Sequence, residues 1–463
     1  MDRIEMYLQI VPLPVIVGIG LIGALVVFMI PSRLRHTVFL TGMPLWLALS
    51  RFPDLGPVQA FSKVTGMFMF AVLAFAAAMD PGPKRKLPPI LWLYPILGIL
   101  SVFYVLQASD WQIAVILRFQ WFFLTLAAVL LVRAITTEAQ LKHALACIAI
   151  GTGAATLLSF LAVVKDPGAA FGGGLGRVQP WGANQNHVGP DFILVTPLAL
   201  YFGLRLRSQI MRLVALGMSG IGGVMALLTA SRSVVFPLVV LMGAVGWELR
   251  RKPIVVIGAI IVAIPLVMYT GSYFETANID RLGSLESERA ERFKLYAEVI
   301  MQRPVVGIMF EKDALAASDE EVGGHAHNAF LDQLRLYGFS LCLPLFGLAA
   351  WSSWSAFKVW QRRKSFVNDH LLITMLFVFM AMIYFHGMVT IVIYYPNYTW
   401  AFFHVFVAVL FIALNSNPGA ELVPDPRAWG KSWNAMMARE AELEAFAEYG
   451  HEQVAHEETI EQR

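Results

Sequence analysis

The stretch LVALGMSGIGGVMALLTASRSVVFPLVVLMGAVGWELRRKPIVVIGAIIVAIPLVMYTG, Leu213 to Gly271, decides the fold class. It holds three apolar runs, 213–229, 233–248 and 253–271, parted first by Arg232 and then by Arg250, Arg251 and Lys252. A helix needs roughly 20 apolar residues to cross about 30 Å of hydrocarbon, and each run approaches that length. Lipid offers no water to an unpaired backbone group, so such runs must fold as helices.

Working outward, the same alternation extends over most of the chain. Further runs lie near 11–31, 37–50, 58–79, 89–107, 111–132, 143–163, 190–204, 329–357, 370–393 and 398–414. Segment 37–50 is short enough to be re-entrant. The run from Val11 to Ile30 lacks a small-residue cleavage site and is followed by more apolar segments, so it reads as a resident helix. Only 14% of the residues are charged and 57% are hydrophobic, against about 25% charged in soluble domains. The expected fold is all-α, a polytopic membrane protein of about 12–13 transmembrane helices with a large helical periplasmic loop. Its parts are N-terminal helices (1–164), a transmembrane core (165–415) containing the loop 271–328, and an acidic cytoplasmic tail (416–463).

Charge placement gives orientation. Arg33/Arg35, Lys84/Arg85/Lys86, Arg133/Lys142, Arg205/Arg207/Arg212, Arg250/Arg251/Lys252 and Lys358/Arg362/Arg363/Lys364 fall at every second connection, seventeen cations in all. The alternate connections hold Arg51, Lys165, Arg177 and Arg232. By the positive-inside rule the seventeen face the cytoplasm, with the N-terminus outside and the tail inside. From Glu421 onward ten acidic residues outnumber four basic ones. No basic run with interleaved aromatics points to nucleic acid. Cys147 and Cys342 sit in apolar runs as small core residues.

Two outer connections are unusual. Lys165–Pro190 contains GGGLGR, ending at Arg177, and WGANQNHVG, with Asn186. The second, Gly271 to His327, contains SLESERAERFKLYAEVIMQRP, which reads as a helix capped at Ser284 or Ser287 and ended ahead of Pro304. Arg232, in TASRSVVFP, is either an interfacial anchor or a functional charge. Arg289 and Arg292 can be the wet face of a surface helix, yet Arg292 and Tyr296 share a face one turn apart and can present a cation with a hydroxyl. His325 and His327, in GGHAHNAF, lack a third ligand at metal-binding spacing. A histidine there can take a proton near neutral pH, with Asn328 orienting its ring. Arg118 lies inside an expected helix and needs an acid or a ligand phosphate as partner. For Tyr384 and His386 internal hydrogen bonds are expected. The GGGLG run is a weak phosphate signal, lacking the Gly-Lys-Ser/Thr ending. Asp191, Glu248 and Asp332 all lie near helix ends, which counts against an ion-coupled transporter.

The order of these features resembles the O-antigen ligase/polymerase superfamily of bacterial envelope enzymes: the Asn-rich loop Gly182–Gly189, Ser231-Arg232 between two helices, Arg292 four before Tyr296, Pro304 to Gly307, and His327-Asn328 opening a helix. By motif the similarity spans roughly residues 165–345. The sequence departs from the pattern at Tyr296, where relatives often carry Trp, and in its extra His325; segment 37–50 and the acidic tail have no counterpart. The resemblance implies a metal-independent, cofactor-free glycosyltransferase in the inner membrane, its active site facing the periplasm. The donor is an undecaprenyl diphosphate-linked glycan and the acceptor a lipid A core, a second glycan or a protein hydroxyl. It further implies that Arg232 and Arg292 bind the diphosphate and His327 acts on the acceptor. Arg118, Arg177, Asn186, Arg289, Tyr296, His325 and Asn328 are the candidate substrate-binding residues. The chemistry agrees: without a metal, charge developing on the leaving diphosphate must meet fixed guanidinium groups. The rival class is a transporter for a lipid-linked glycan or anion.

Overall fold

Several of the basic connections named above lie together in space. In the computed structural model, residues 29–106, 111–171, 177–249, 289–310, 327–366 and 369–416 are described, with single helical positions at 15, 18, 22 and 25. Most of the expected helix 11–31, all of 253–271, the glycines 172–176, much of the 271–328 loop with His325, the tail from 417 and the side chains of Arg289 and Arg292 lie outside the described residues. The rest is 84% helical without a strand among the described residues. Its longer helices are α1 (Ser32–Leu49), α2 (Pro57–Ala78), α3 (Leu93–Tyr104), α4 (Trp111–Ala134), α5 (Glu138–Lys165), α6 (Gln185–Arg205), α7 (Gln209–Leu228), α8 (Arg232–Leu249), α9 (Arg289–Gln302), α10 (Ala329–Gln361), α11 (His370–Val389) and α12 (Thr399–Ser416).

Among the described residues seven helices, α4 to α7 and α10 to α12, are long and apolar enough to cross a membrane; α2 makes an eighth if its two halves, bent by 42°, form one span. Pro89–Tyr104 and Arg232–Gly246 are apolar but shorter. The chain is therefore a multi-pass membrane protein. Helix α12 is its axis: every side chain from Thr399 to Leu414 is buried, as expected of a helix that is hydrophobic all round. By contrast α7 has only 22% of its apolar window covered, which makes it a peripheral, lipid-facing helix. Aromatic rings lock the axis to its neighbours, with Phe379 against Trp400 and Phe403, and Phe70 against Phe402.

One end of the bundle gathers those of the expected cytoplasmic clusters that are described, while Arg250, Arg251 and Lys252 lie outside the described residues. The Arg85 amide donates to the Arg133 carbonyl (2.7 Å), and Arg362 donates to Asn415 (3.0 Å). Thr137 and Gln140 form a capping box that starts α5. Beside it Lys142 pairs with Glu138, while Arg205 donates to both oxygens of Asp369 (2.7 and 2.9 Å) and Tyr201 adds a third bond (2.9 Å). This network staples α5, α6 and α11. Burial alone would raise the Asp369 carboxyl, but the Arg205 hydrogen bonds outweigh it and hold the group below the usual carboxylate range. Its contribution is therefore complete above the unfolded value, about pH 4, and is lost as pH falls through the lower folded value. Asp369→Asn is expected to cost about 2 kcal/mol at neutral pH. Thermal melts at stepped pH should show the gap to wild type closing in acid.

Three sequence expectations change. Helix α6 begins at Gln185, capped by Asn184, so Asn186 sits in its first turn and not in a loop. The proline that suggested a boundary, Pro190, lies inside α6 and frees the Asn186 carbonyl from the helical ladder. Helix α10 is broken at Gly338 (φ 61°, ψ −170°) into an outer half, 329–337, and a long inner half. Segment 37–50 belongs to a longer helix, α1, that starts at Ser32. Both cysteines are free and buried. Tyr384 bonds Ser352 (2.8 Å), and His386 Nδ1 lies 3.1 Å from the Thr390 hydroxyl.

Candidate functional site

The end opposite the described basic clusters holds the Asn-rich segment, the Ser-Arg turn and the head of α10. Hydrogen bonds between distant segments bring them to a shared location. The Val178 amide donates to the Leu228 carbonyl (3.0 Å), drawing the chain after Arg177 onto the end of α7. The Ser231 hydroxyl donates to Asn186 Oδ1 (2.7 Å) and lies 2.9 Å from the Ser233 hydroxyl. Thus the Asn-rich segment and the Ser-Arg turn, 45 residues apart, meet. Arg232 opens α8 with an exposed side chain, and Arg177 is buried at 7% exposure.

His327 and Asn328 stand at the head of α10. Asn328 Oδ1 accepts from the Phe330 and Leu331 amides (3.0 and 3.1 Å), so its carbonyl oxygen is committed to capping the helix. That differs from the expected ring-orienting role: a two-residue step from His327 into a helix makes Asn328 the natural cap. Both Arg232 and His327 flank the same end of α11. Phe236, one turn after Arg232, lies 4.6 Å centroid to centroid from Phe385, and Phe330, just after His327, faces Gly387.

Tyr296 also departs from expectation. It is fully buried, with the Arg335 guanidinium 5.1 Å over its ring. The side of α9 that carries it packs on α10, so its hydroxyl is not offered to solvent beside position 292, one turn earlier. The turn Pro304–Gly307 docks on the break in α10: the Phe339 amide donates to the Pro304 carbonyl (2.7 Å) and the Ser340 amide to Val305 (3.0 Å).

The sequence reading missed a set of buried arginine–tyrosine stacks. Arg51 lies 5.1 Å over Tyr398, pairs with Asp191 and donates to the His187 carbonyl (2.6 Å). Arg335, over Tyr296, has Asp332 at 3.5 Å. Arg118 lies 5.1 Å over Tyr337. Burial first, then the Asp332 carboxylate, raises the Tyr395 hydroxyl well above its ordinary value, so it stays protonated beside that acid. An Asp–x–x–Arg spacing in an otherwise apolar helix was the one signal that pointed to Asp332 and Arg335. The Arg51–Asp191 pair spans 140 residues and left none.

Backbone geometry marks the same segments. Among the described residues, the non-glycine positions with positive φ are Trp181 (52°), Ala230 (45°) and His327 (52°). They fall in the Asn-rich segment, at the Ser-Arg turn and at the candidate base. Such conformations cost of order 1–3 kcal/mol and collect at functional sites. No protein-family model, curated protein or solved structure matches this chain.

Proposed function

We propose that this chain is an O-antigen ligase-like glycosyltransferase, moving a glycan from an undecaprenyl diphosphate carrier to an acceptor hydroxyl on the periplasmic face. The observation that supports it best is the placement of the three strained non-glycine residues, one beside the Asn-rich loop, one at the Ser-Arg turn and one at the candidate base, all at the end away from the described basic clusters. In this reading the basic end faces the cytoplasm.

Arg232 and Arg292 hold the diphosphate, with planar, permanently charged donors suited to phosphate oxygens. The bond from the sugar anomeric carbon to the phosphate oxygen breaks, the carrier diphosphate leaves with the electron pair, and the anomeric carbon takes on oxocarbenium character. The acceptor oxygen bonds that carbon as its proton passes to His327. Diphosphate is a good enough leaving group to need no general acid. The acceptor is a lipid A core sugar in the ligase form of the reading, a second carrier-linked glycan in the polymerase form and a Ser or Thr hydroxyl in the protein-glycosylating form.

The test is a transfer assay with the full-length protein in neutral detergent, a lipid diphosphate-linked glycan and each acceptor class. Arg232→Ala and Arg292→Ala are each expected to lose at least about 10²-fold in rate, the size of removing a transition-state charge stabiliser. Unchanged rates in both variants, or carrier-linked glycan crossing the bilayer of vesicles without transfer, would defeat the reading in favour of a transporter.

A further inference from the structure

We propose that the crevice between α3, α4 and α10 is a lateral binding site for the phosphate group of a membrane lipid, separate from the Arg232 turn. Its polar lining is Arg118 from α4, Ser101 from α3 and Gln333 and Tyr337 from α10, closed by Trp121 and Leu97. Arg118, Gln333 and Tyr337 are exposed by only 8%, 4% and 3%. Among the described residues none of these three side chains makes a hydrogen bond, and the Tyr337 hydroxyl is a buried orphan. Buried polar groups in native proteins are almost always satisfied, and each exception calls for an explanation.

The other two stacked arginines supply the comparison. Arg51 and Arg335 lie over tyrosine rings at the same 5.1 Å, and each has a carboxylate, Asp191 or Asp332. Arg118 repeats the stack and lacks the acid, because Asp332 is engaged by Arg335 and approached by Tyr395 at 3.5 Å. The Arg118 guanidinium, stacked on a ring but without an acid, keeps its N–H donors available to a ligand that enters the crevice. The crevice offers guanidinium N–H groups, an amide NH2 and a phenol O–H. That donor-rich set fits an anion with several acceptor oxygens, and phosphate matches the guanidinium bidentately.

The surroundings select the source of that phosphate. The helices forming the crevice carry Leu100 and Phe103 on α3 and Phe339 and Leu343 on α10, all exposed and apolar. Between them Tyr104 reaches across to the Ser340 hydroxyl (2.7 Å). A headgroup entering sideways would leave its chains on this apolar face, whereas a free anion would gain nothing from it.

Binding of three probes to the full chain in neutral detergent tests this: farnesyl phosphate, short-chain phosphatidylglycerol and inorganic phosphate, followed by titration calorimetry. At least one lipid probe is expected to bind more tightly than inorganic phosphate, with affinity falling about 10-fold or more in Arg118→Gln and partly kept in Arg118→Lys. Tyr337→Phe, which keeps the ring under the guanidinium, should weaken binding about 2- to 10-fold. Gln333→Leu serves the same purpose if Arg118→Gln does not fold. Lipid affinity unchanged in the folded variants, or inorganic phosphate binding as tightly as either lipid, overturns the proposal. The readout is binding, so a failure here is distinct from a failure of glycan transfer.

Discussion

His327→Gly is expected to melt close to wild type and to transfer glycan at least about 10²-fold more slowly. The two outcomes have separate causes. His327 sits at φ 52°, where a side chain crowds the following carbonyl and costs about 1–2 kcal/mol. Glycine removes that strain but gives up the interaction the histidine makes and adds unfolded-state entropy, so the terms offset to within about 1 kcal/mol. In the proposed reaction the rate falls because the acceptor hydroxyl loses its base. His327→Asn separates the causes further, since asparagine tolerates this backbone region but cannot take the proton. Thermal melts and single-turnover transfer, run on the same preparations, check both halves. A histidine that merely filled a turn would show the same stability without the loss in rate. Full activity in His327→Gly would move suspicion to His325.

How much of this was legible beforehand depends on the range of each interaction. The alternation of Arg and Lys clusters is a property of helix ends, so Lys84 to Lys86, Arg133, Arg205 and Arg362 could be assigned to one face without knowing a single contact. The structure joins them there through Arg85–Arg133, Asp369–Arg205 and Arg362–Asn415. The chosen motifs were legible as types and as an order, but not as contacts: nothing in SRS or QNH states that Ser231 donates to Asn186. Proline misled at Pro190, because a membrane helix tolerates the lost hydrogen bond that would end a soluble one. The Arg51–Asp191 pair was illegible for a plainer reason, as each residue alone resembles an ordinary charge at a helix end.

Gly338→Ala is expected to cost about 3 kcal/mol or more and to prevent recovery of well-folded protein, though residue 338 touches none of the proposed chemistry. At φ 61° and ψ −170° the backbone occupies a region open essentially to glycine alone, with a strain of order 1–3 kcal/mol for any side chain. A methyl group there would also run into the backbone of Val305 and Gly307, and overpacking adds about 1–3 kcal/mol. Gly307, itself at φ 70°, meets Leu336 and Tyr337 in the same way, so neither side of the joint can yield. The joint matters because it fixes the Pro304–Gly307 turn, and through it α9, to the outer half of α10, which follows His327 and Asn328 and carries Asp332 and Arg335. Gly347→Ala is the control: it lies on the same helix with nothing within 4 Å of the added carbon, and should be neutral or stabilising by up to about 1 kcal/mol. Size-exclusion profiles and melts of both variants decide the matter. Equal behaviour of the two would mean that the break in α10 is not held by the glycine pair.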